Sequence, residues 1–365
     1  MTIARIRLAL LFGGQSCEHE VSVMSAKSVA AAVDEDRYEL LYIGISKQGK
    51  WRLLDDPKAI FACSEVRFDD GEAVWIDHSE GAGFIGSPDF GTHLPVDMVF
   101  PVLHGTRGED GTVQGLLELA GMAYVGSGIR GSAVGMDKSL TKQVLQAHSI
   151  PQLPYLVFSH EQWQAQTLTC VEQVNNALRW PVFVKPCSQG SSVGVVMACD
   201  ERELLQAVNV ACQYDFHFII EQAATGYREI ECAVLGNDPS RVSVPGEIRP
   251  RQGFYDYRAK YQDDSAELVV PAQLNSAQVE RVQELAIQVF KAVGAADLAR
   301  VDFFVDTKND LFYINEINTM PGFTPISMYP RLWQETGIDY ASLIDSLVSL
   351  AQSRHRKMSG LRQVL

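Results

Sequence analysis

ARVDFFVDTKNDLFYINEINTMPG, residues 299–322, holds two runs of apolar and β-branched residues on either side of TKND. That pattern predicts an antiparallel hairpin. Side chains along a strand alternate between faces. Arg300, Asp302 and Phe304 therefore share one face of the first strand, and Ile314, Glu316 and Asn318 share one face of the second. If the charged faces coincide, Asp302, Glu316 and Asn318 present only oxygen donors beside an arginine. Such donors suit Mg²⁺ that is also held by phosphate. Two carboxylates at cross-strand spacing repel unless a cation lies between them. The competing reading is a solvated sheet face with an Arg–Asp pair. The apolar company of Asp302 and Glu316 counts against it.

Outward from the hairpin, the chain alternates strands and helices. The N-terminal IRLALLF reads as a buried strand, Gly13-Gly14 as a turn, and EHEVSVMSAKSVAAAVD as a helix with Val21, Met24, Val29 and Val33 inward. YELLYIGIS is a second strand, so the chain opens as an α/β unit. Residues 51–95 are Gly-rich and irregular. VDMVFPVLHG is a further strand running into the loop HGTRGEDGTVQG. SAVGMDKSLTKQVLQAHSI reads as a helix ended by Pro151. PVFVKP, VGVVMA and FHFIIEQ are strands around a helix, ERELLQAVNVACQ. SAQVERVQELAIQVFKAVG is a helix with one buried stripe. Three units follow from this: 1–125, 126–222 and 223–365. The last fifteen residues, with Arg354, Arg356, Lys357 and Arg362, read as a solvated, frayed tail.

Composition narrows the function. The chain has 365 residues, 46% hydrophobic and 21% charged, with a formal net charge of −14. That balance argues against nucleic acid, which rewards Lys and Arg. It leaves open a small anion held by a few local lysines. No apolar run approaches the ~20 residues of a membrane span. MTIARIRLALLF lacks a small-residue cleavage site, so no signal peptide is expected. The seven cysteines are scattered and form no C-x-x-C pair, which predicts reduced thiols, no zinc site and a cytoplasmic home.

Three further segments carry chemistry. Lys185 leaves the strand PVFVK beside the small-residue loop CSQGSSVG, where a lysine and loop amides can hold phosphate. A plain hairpin is the alternative. GFYDYRAKYQDD, Gly253–Asp264, packs three tyrosines and a lysine into seven residues. It reads as an ordered functional loop or as a surface aromatic loop. His104 ends a buried strand, a place where a histidine is often only a structural hydrogen-bonder.

In order along the chain stand FGG-x-S-x-E-x-E-V-S, HG-x-x-GEDG-x-x-QG, MDK, VKP-x-x-x-GSSVG, YDY-x-x-KY, R-x-D and NEIN-T-x-PG-x-T-x-x-S. Together they resemble the ATP-grasp enzymes, and among these the D-alanine–D-alanine ligases in their longer bacterial form, over about residues 5–350. The resemblance implies a three-domain ATP-grasp fold, α/β and α+β, with a Rossmann-like parallel sheet at the N-terminus. It implies ATP-dependent joining of two D-alanines through an acyl phosphate, for peptidoglycan. It also implies two Mg²⁺ or Mn²⁺ ions, with K⁺ as an activator in some relatives, and a homodimer.

The same resemblance assigns residues. Lys138 and Lys185 match the phosphate lysines. Glu221 with the backbone of Ala223 and Ala224 matches the adenine contact, and Glu229 the ribose contact. Asp302, Glu316 and Asn318 match the metal ligands. Arg300 and the Gly322 N–H match the oxyanion hole. Lys260 faces the transferred phosphate and substrate carboxylate. Ser327 and the backbone of Met328 match the clamp on the second D-alanine. His104 and Glu20 lie where the first binds. Glu20, Ser191 and Tyr261 match a hydrogen-bonded trio that closes a lid. Two departures stand out. EQAATGYREIE is one residue longer than in close relatives, which bears on the ribose register, and Met328 replaces a common leucine. Cys187, inside the phosphate loop, reads as a small apolar filler. The YDYRAKY loop opposes a lactate-using ligase. The full set of metal and oxyanion residues opposes a catalytically dead nucleotide-binding module.

Overall fold

The computed structural model describes residues 5–76, 84–86, 93–250 and 266–361. The loop with Lys260 and Tyr261 lies outside them, as does Arg362.

Ile6–Gly13 pairs in parallel with Tyr38–Ile45 on one side and Met98–Pro101 on the other. Leu8, Leu10 and Phe12 enter one apolar cluster, and Ala9 and Leu11 enter another. Burial on both faces explains the unbroken apolar run. Trp51–Leu54 and Glu72–Ala73 add antiparallel strands at one edge. Gly13 and Gly14 both have positive φ, and a Cβ on Gly13 would lie 2.3 Å from the Ile45 carbonyl oxygen. Only glycine makes this turn. The helix His19–Ala32 follows it. Val21, Val29 and Val33 are buried as expected, but Met24 is 36% exposed and faces the central cleft.

The middle of the chain forms a four-stranded antiparallel sheet, Val196–Ala198, Val182–Pro186, His217–Gln222 and Tyr155–Ser159 in that order. Val182, Val184, Phe218 and Ile220 bury one face against the helices Thr167–Ala177 and Glu201–Ala211. Lys185 and Glu221, on alternate positions, project from the other face.

The C-terminal sheet is antiparallel and built on Arg228–Gly236, Leu298–Asp306 and Leu311–Asn318. The helix Ser276–Val293 covers its apolar face with Val282, Leu285, Val289 and Phe290. Asn275 and Gln278 cap this helix reciprocally, and Gly294 ends it in the left-handed conformation. The helices Ile129–Met136 and Lys138–Ala147 pack against that long helix and the strand Leu311–Asn318.

The end of the chain differs from expectation. Tyr340–Ser359 is one helix, with Leu343, Leu347 and Ala351 buried. Arg354, expected in a frayed tail, donates to the carbonyls of Tyr124 and Gly126, both at 2.8 Å, and pairs with buried Asp297 at 3.1 Å. Its apolar stem follows the buried stripe inward and its fork meets acceptors from two other segments. Among the described residues no helix is long and apolar enough to cross a membrane.

Candidate active site

The hairpin forms as its sequence predicts, with one correction. Arg300 pairs with Asn318 and Asp302 with Glu316, but the register then slips, so that Phe303 opposes Ile314. Asn315 is the extra residue of this bulge. Ile314 therefore turns into the core with Phe303, away from the face of Glu316 and Asn318.

Arg300 grips Asp302 with two bonds of 2.7 Å, and its Nε lies 2.9 Å from Glu231 Oε2 on the adjacent strand. Burial opposes the guanidinium charge, but Asp302 and Glu231 outweigh it and hold the group protonated well above its ordinary range. The Asn318 amide donates to Asp302 at 3.0 Å. Lys138, first residue of its helix, donates to the Gln189 carbonyl at 2.6 Å and stands 4.0 Å from Glu316. It thereby ties the Gly/Ser loop to the acidic face. Glu231 carried no sequence assignment; its place two residues after Glu229 on an otherwise apolar strand was the available sign.

A cleft of about 1020 Å³ is lined by residues from the N-terminal, middle and C-terminal parts of the chain. Lys138, Arg300, Glu316 and Asn318 line one wall, and Gly322, Ser327 and Met328 lie beside them. Ser327 holds the N-cap position of the helix Met328–Glu335 without a side-chain cap bond, so the start of that helix lies at the cleft. The Ser327 hydroxyl is held by Thr324, with 3.2 Å to its N–H and 2.7 Å to its hydroxyl.

The opposite wall corrects a residue. Ser191 donates its hydroxyl to Glu18, not to Glu20. Glu18 is buried, at the N-cap of the first helix. A Cβ on Gly105 or Gly190 would lie 2.7 or 2.9 Å from its Oε2, so two glycines make room for the carboxylate. Two residues on, a helix has turned by roughly 200°. Glu20 consequently points away from the cleft, 43% exposed, and pairs with Lys47 at 2.5 Å. Ser191 and Ser192 both hold positive φ, so the Gly/Ser loop carries backbone strain where it meets Glu18.

His104 is buried beside this corner. Burial lowers its affinity for a proton, against the pull of Glu18 and the Met320 carbonyl. The neutral ring fits its partners: Nδ1 donates to the Met320 carbonyl at 3.0 Å, and Nε2 accepts from Ser25 at 3.2 Å. Glu109, from the GEDG motif, keeps some surface open to the cleft and accepts from the Gly105 N–H at 2.8 Å. Burial first, and the charge of Glu18 second, push its carboxyl up to about 8. Neither its role nor that of Glu18 was assigned from sequence, although both stand in the motifs quoted above.

The remaining residues sit outside the cleft lining. Glu221 is buried and engaged by two ammonium groups, Lys185 at 2.6 Å and Lys142 in a shorter contact. Lys142 carried no sequence assignment, though it stands one helical turn after Lys138. Ala223 donates its N–H to the Pro181 carbonyl, and the Ala224 carbonyl accepts from Tyr227. Glu229 lies on the strand of Glu231, with its side chain on the same face. Cys187 is fully buried, and burial pushes its thiol up to about 12, in keeping with a filler rather than a nucleophile.

Two family descriptions match this chain, the D-ala D-ala ligase N-terminus over residues 7–127 and the D-ala D-ala ligase C-terminus over 144–349. The chain belongs to the D-alanine–D-alanine ligase family. A D-alanine–D-alanine ligase of Caldicellulosiruptor bescii is 44% identical over 360 residues, covering 99% of both chains. The D-alanine–D-alanine ligase structure from Coxiella burnetii superposes with a TM-score of 0.86 at 37% identity, covering 98% of this chain and 97% of that one. A D-Ala:D-Ser ligase from Enterococcus faecalis reaches a TM-score of 0.85 at 32% identity, covering 95% and 100%. The layout, with a parallel N-terminal sheet ahead of two antiparallel ones, is thus that of the D-alanine–D-alanine ligases, an ATP-grasp fold.

Proposed function

We propose that this chain uses ATP to join two D-alanines into D-alanyl-D-alanine for peptidoglycan synthesis. The observation that carries the reading is the cleft that Lys138, Arg300, Glu316, Asn318 and Gly322 line together with the Glu18–Ser191 corner. A carboxylate oxygen of the first D-alanine attacks the γ-phosphorus of ATP, and ADP leaves. The amine of the second attacks the acyl carbon, loses a proton, and phosphate leaves.

Glu18, in place of Glu20, takes the ammonium of the first D-alanine, and His104 shapes that end. Arg300 and the Gly322 N–H face the oxygen that becomes negative in the tetrahedral intermediate. Donors held ready in this way contribute about 3–4 kcal/mol. Asp302 and Glu231 fix the guanidinium before substrate arrives. Ser327 and the Met328 N–H take the carboxylate of the second D-alanine. Lys138 and Lys185 serve the phosphates, Glu221 with the Ala223 carbonyl and Ala224 N–H the adenine, and Glu229 the ribose. Lys260 and Tyr261, outside the described residues, belong to the same proposal as the phosphate contact and the lid partner of Ser191.

Among the described residues no three His, Cys, Asp or Glu side chains converge as a preformed metal site. Asp302, Glu316 and Asn318 nevertheless fit a hard cation that brings phosphate oxygens with it, since two carboxylates stand directly opposite each other across the hairpin. Two bound Mg²⁺ or Mn²⁺ ions would neutralise charge between the phosphates and the incoming carboxylate. K⁺ as activator, a homodimer and a cytoplasmic location complete the reading, as does the division at 125 and 222.

Mass spectrometry of the products from ATP, Mg²⁺ and D-alanine, with D-lactate and D-serine competing, tests the proposal. D-alanyl-D-alanine with ADP and phosphate is expected. A depsipeptide or a serine dipeptide as the main product would reassign the second substrate.

A further inference from the structure

Glu221, Lys142 and Lys185 form a buried triad of two ammoniums on one carboxylate. The side chains of Lys142 and Glu221 are each 3% exposed, and that of Lys185 is 13% exposed. Lys142 is held from several sides. Its Nζ contacts Glu221, lies 3.5 Å from the Ile314 carbonyl, and sits 5.7 Å from the centroid of the Tyr155 ring. Its backbone carbonyl accepts from Gln152 at 2.9 Å, inside a regular helix. Lys185 stands near the end of its strand, just before the Gly/Ser loop, diagonal to Glu221 across the ladder. Lys185 can leave without stranding a buried charge, because Lys142 remains on the carboxylate. Without Lys142, the departure of Lys185 would bury Glu221 unpaired, a costly state.

We propose that Lys142 is a positioning residue: it is the permanent counter-ion of Glu221 and so frees Lys185 to move onto the phosphates of the nucleotide. The inference rests on the reading of Glu221 as the adenine end and Lys185 as a phosphate lysine. Lys142 touches no substrate and acts only through its two partners.

The discriminating quantity is the ratio of ATP affinity to adenosine affinity, measured by titration calorimetry on the full chain with Mg²⁺. Lys142→Met keeps the Glu221–Lys185 pair and buries no unpaired charge, so the variant is expected to fold. It should weaken ATP about tenfold or more and adenosine by less than about twofold, because Lys185 is now retained at Glu221. Adding Glu221→Gln in the same chain should restore the ratio. Equal weakening of both ligands, or none, would overturn the proposal. Glu221→Gln alone, read independently of how Lys142→Met folds, should leave the ratio at or above the wild-type value, and a fall would also overturn it. Unchanged adenosine binding in Glu221→Ala would instead refute the adenine assignment itself.

Discussion

Glu18 and Glu20 carry the same carboxylate two positions apart, and only Glu18 reaches the cleft. On the proposed reading, Glu18→Gln removes the partner of the first D-alanine's ammonium, a charge-assisted contact of about 1.5–3 kcal/mol. The expected result is a KM for D-alanine about tenfold or more higher. Glu20→Gln should leave that KM within about twofold, since its partner is the surface residue Lys47. Steady-state kinetics with D-alanine varied would decide, and a reversed order would return the role to Glu20. Glu109 makes a prediction about pH. Its folded carboxyl titrates at about 8, above the usual glutamate range, so the folded chain holds this proton more tightly than the unfolded one. The stability it contributes is complete below the usual glutamate range and is lost as pH rises through about 8. Urea unfolding at a series of pH values should show this decline, and Glu109→Gln should flatten it. A variant with the wild-type slope would exclude Glu109 as its source.

At the scale of elements, the Gly/Ser loop and the hairpin each place a side chain that local pattern alone does not. Gly190→Ala puts a methyl group 2.9 Å from Glu18 Oε2, with no positive φ to strain. The carboxylate is the movable end of a side chain, so it should shift while the fold holds. D-alanine KM should rise several-fold, with a melting temperature close to wild type. A large loss of melting temperature would mean that the loop backbone gives way instead. In the hairpin, Arg300→Met leaves Asp302 and Glu231 facing each other without the cation between them. Breaking a buried pair costs about 3–5 kcal/mol. Both urea stability and turnover should therefore fall, whereas loss of an oxyanion donor alone would affect only turnover.

At the scale of the whole molecule, the final helix ties distant parts together. Arg354 bonds the Tyr124 and Gly126 carbonyls and Asp297, while Asp345 pairs with Arg37 and accepts from Tyr38 at 2.8 Å. Asp297 is fully buried, and burial raises its carboxyl against the pull of Arg354. Arg354→Met should destabilise the chain by about 3 kcal/mol, read by urea unfolding, while leaving the KM for ATP and D-alanine unchanged at low temperature. A shift in either KM without loss of stability would make this helix part of the site rather than part of the frame.

By itself the sequence determined the strands, the helices and most of the chemistry. Apolar alternation marked the hairpin, and oxygen donors on Asp302, Glu316 and Asn318 were visible two and fourteen residues apart without any contact being known. Glycine pairs, caps and ordered motifs are local, and local propensity is written in neighbouring residues. Direction and partnership are not. Which carboxylate turns into the cleft depends on where the first helix begins and on two glycines from elsewhere in the chain, Gly105 and Gly190. The facing of Ile314 depends on one bulged residue, Asn315, which puts Ile314 and Glu316 on opposite faces of the strand. Arg354 reads as a tail residue until two remote carbonyls and a buried aspartate meet it. Lys142 carries no assignment until its helix is laid against the strand that carries Glu221. These outcomes come from long-range packing, where buried charges must find partners and the partners lie as far as 230 residues away.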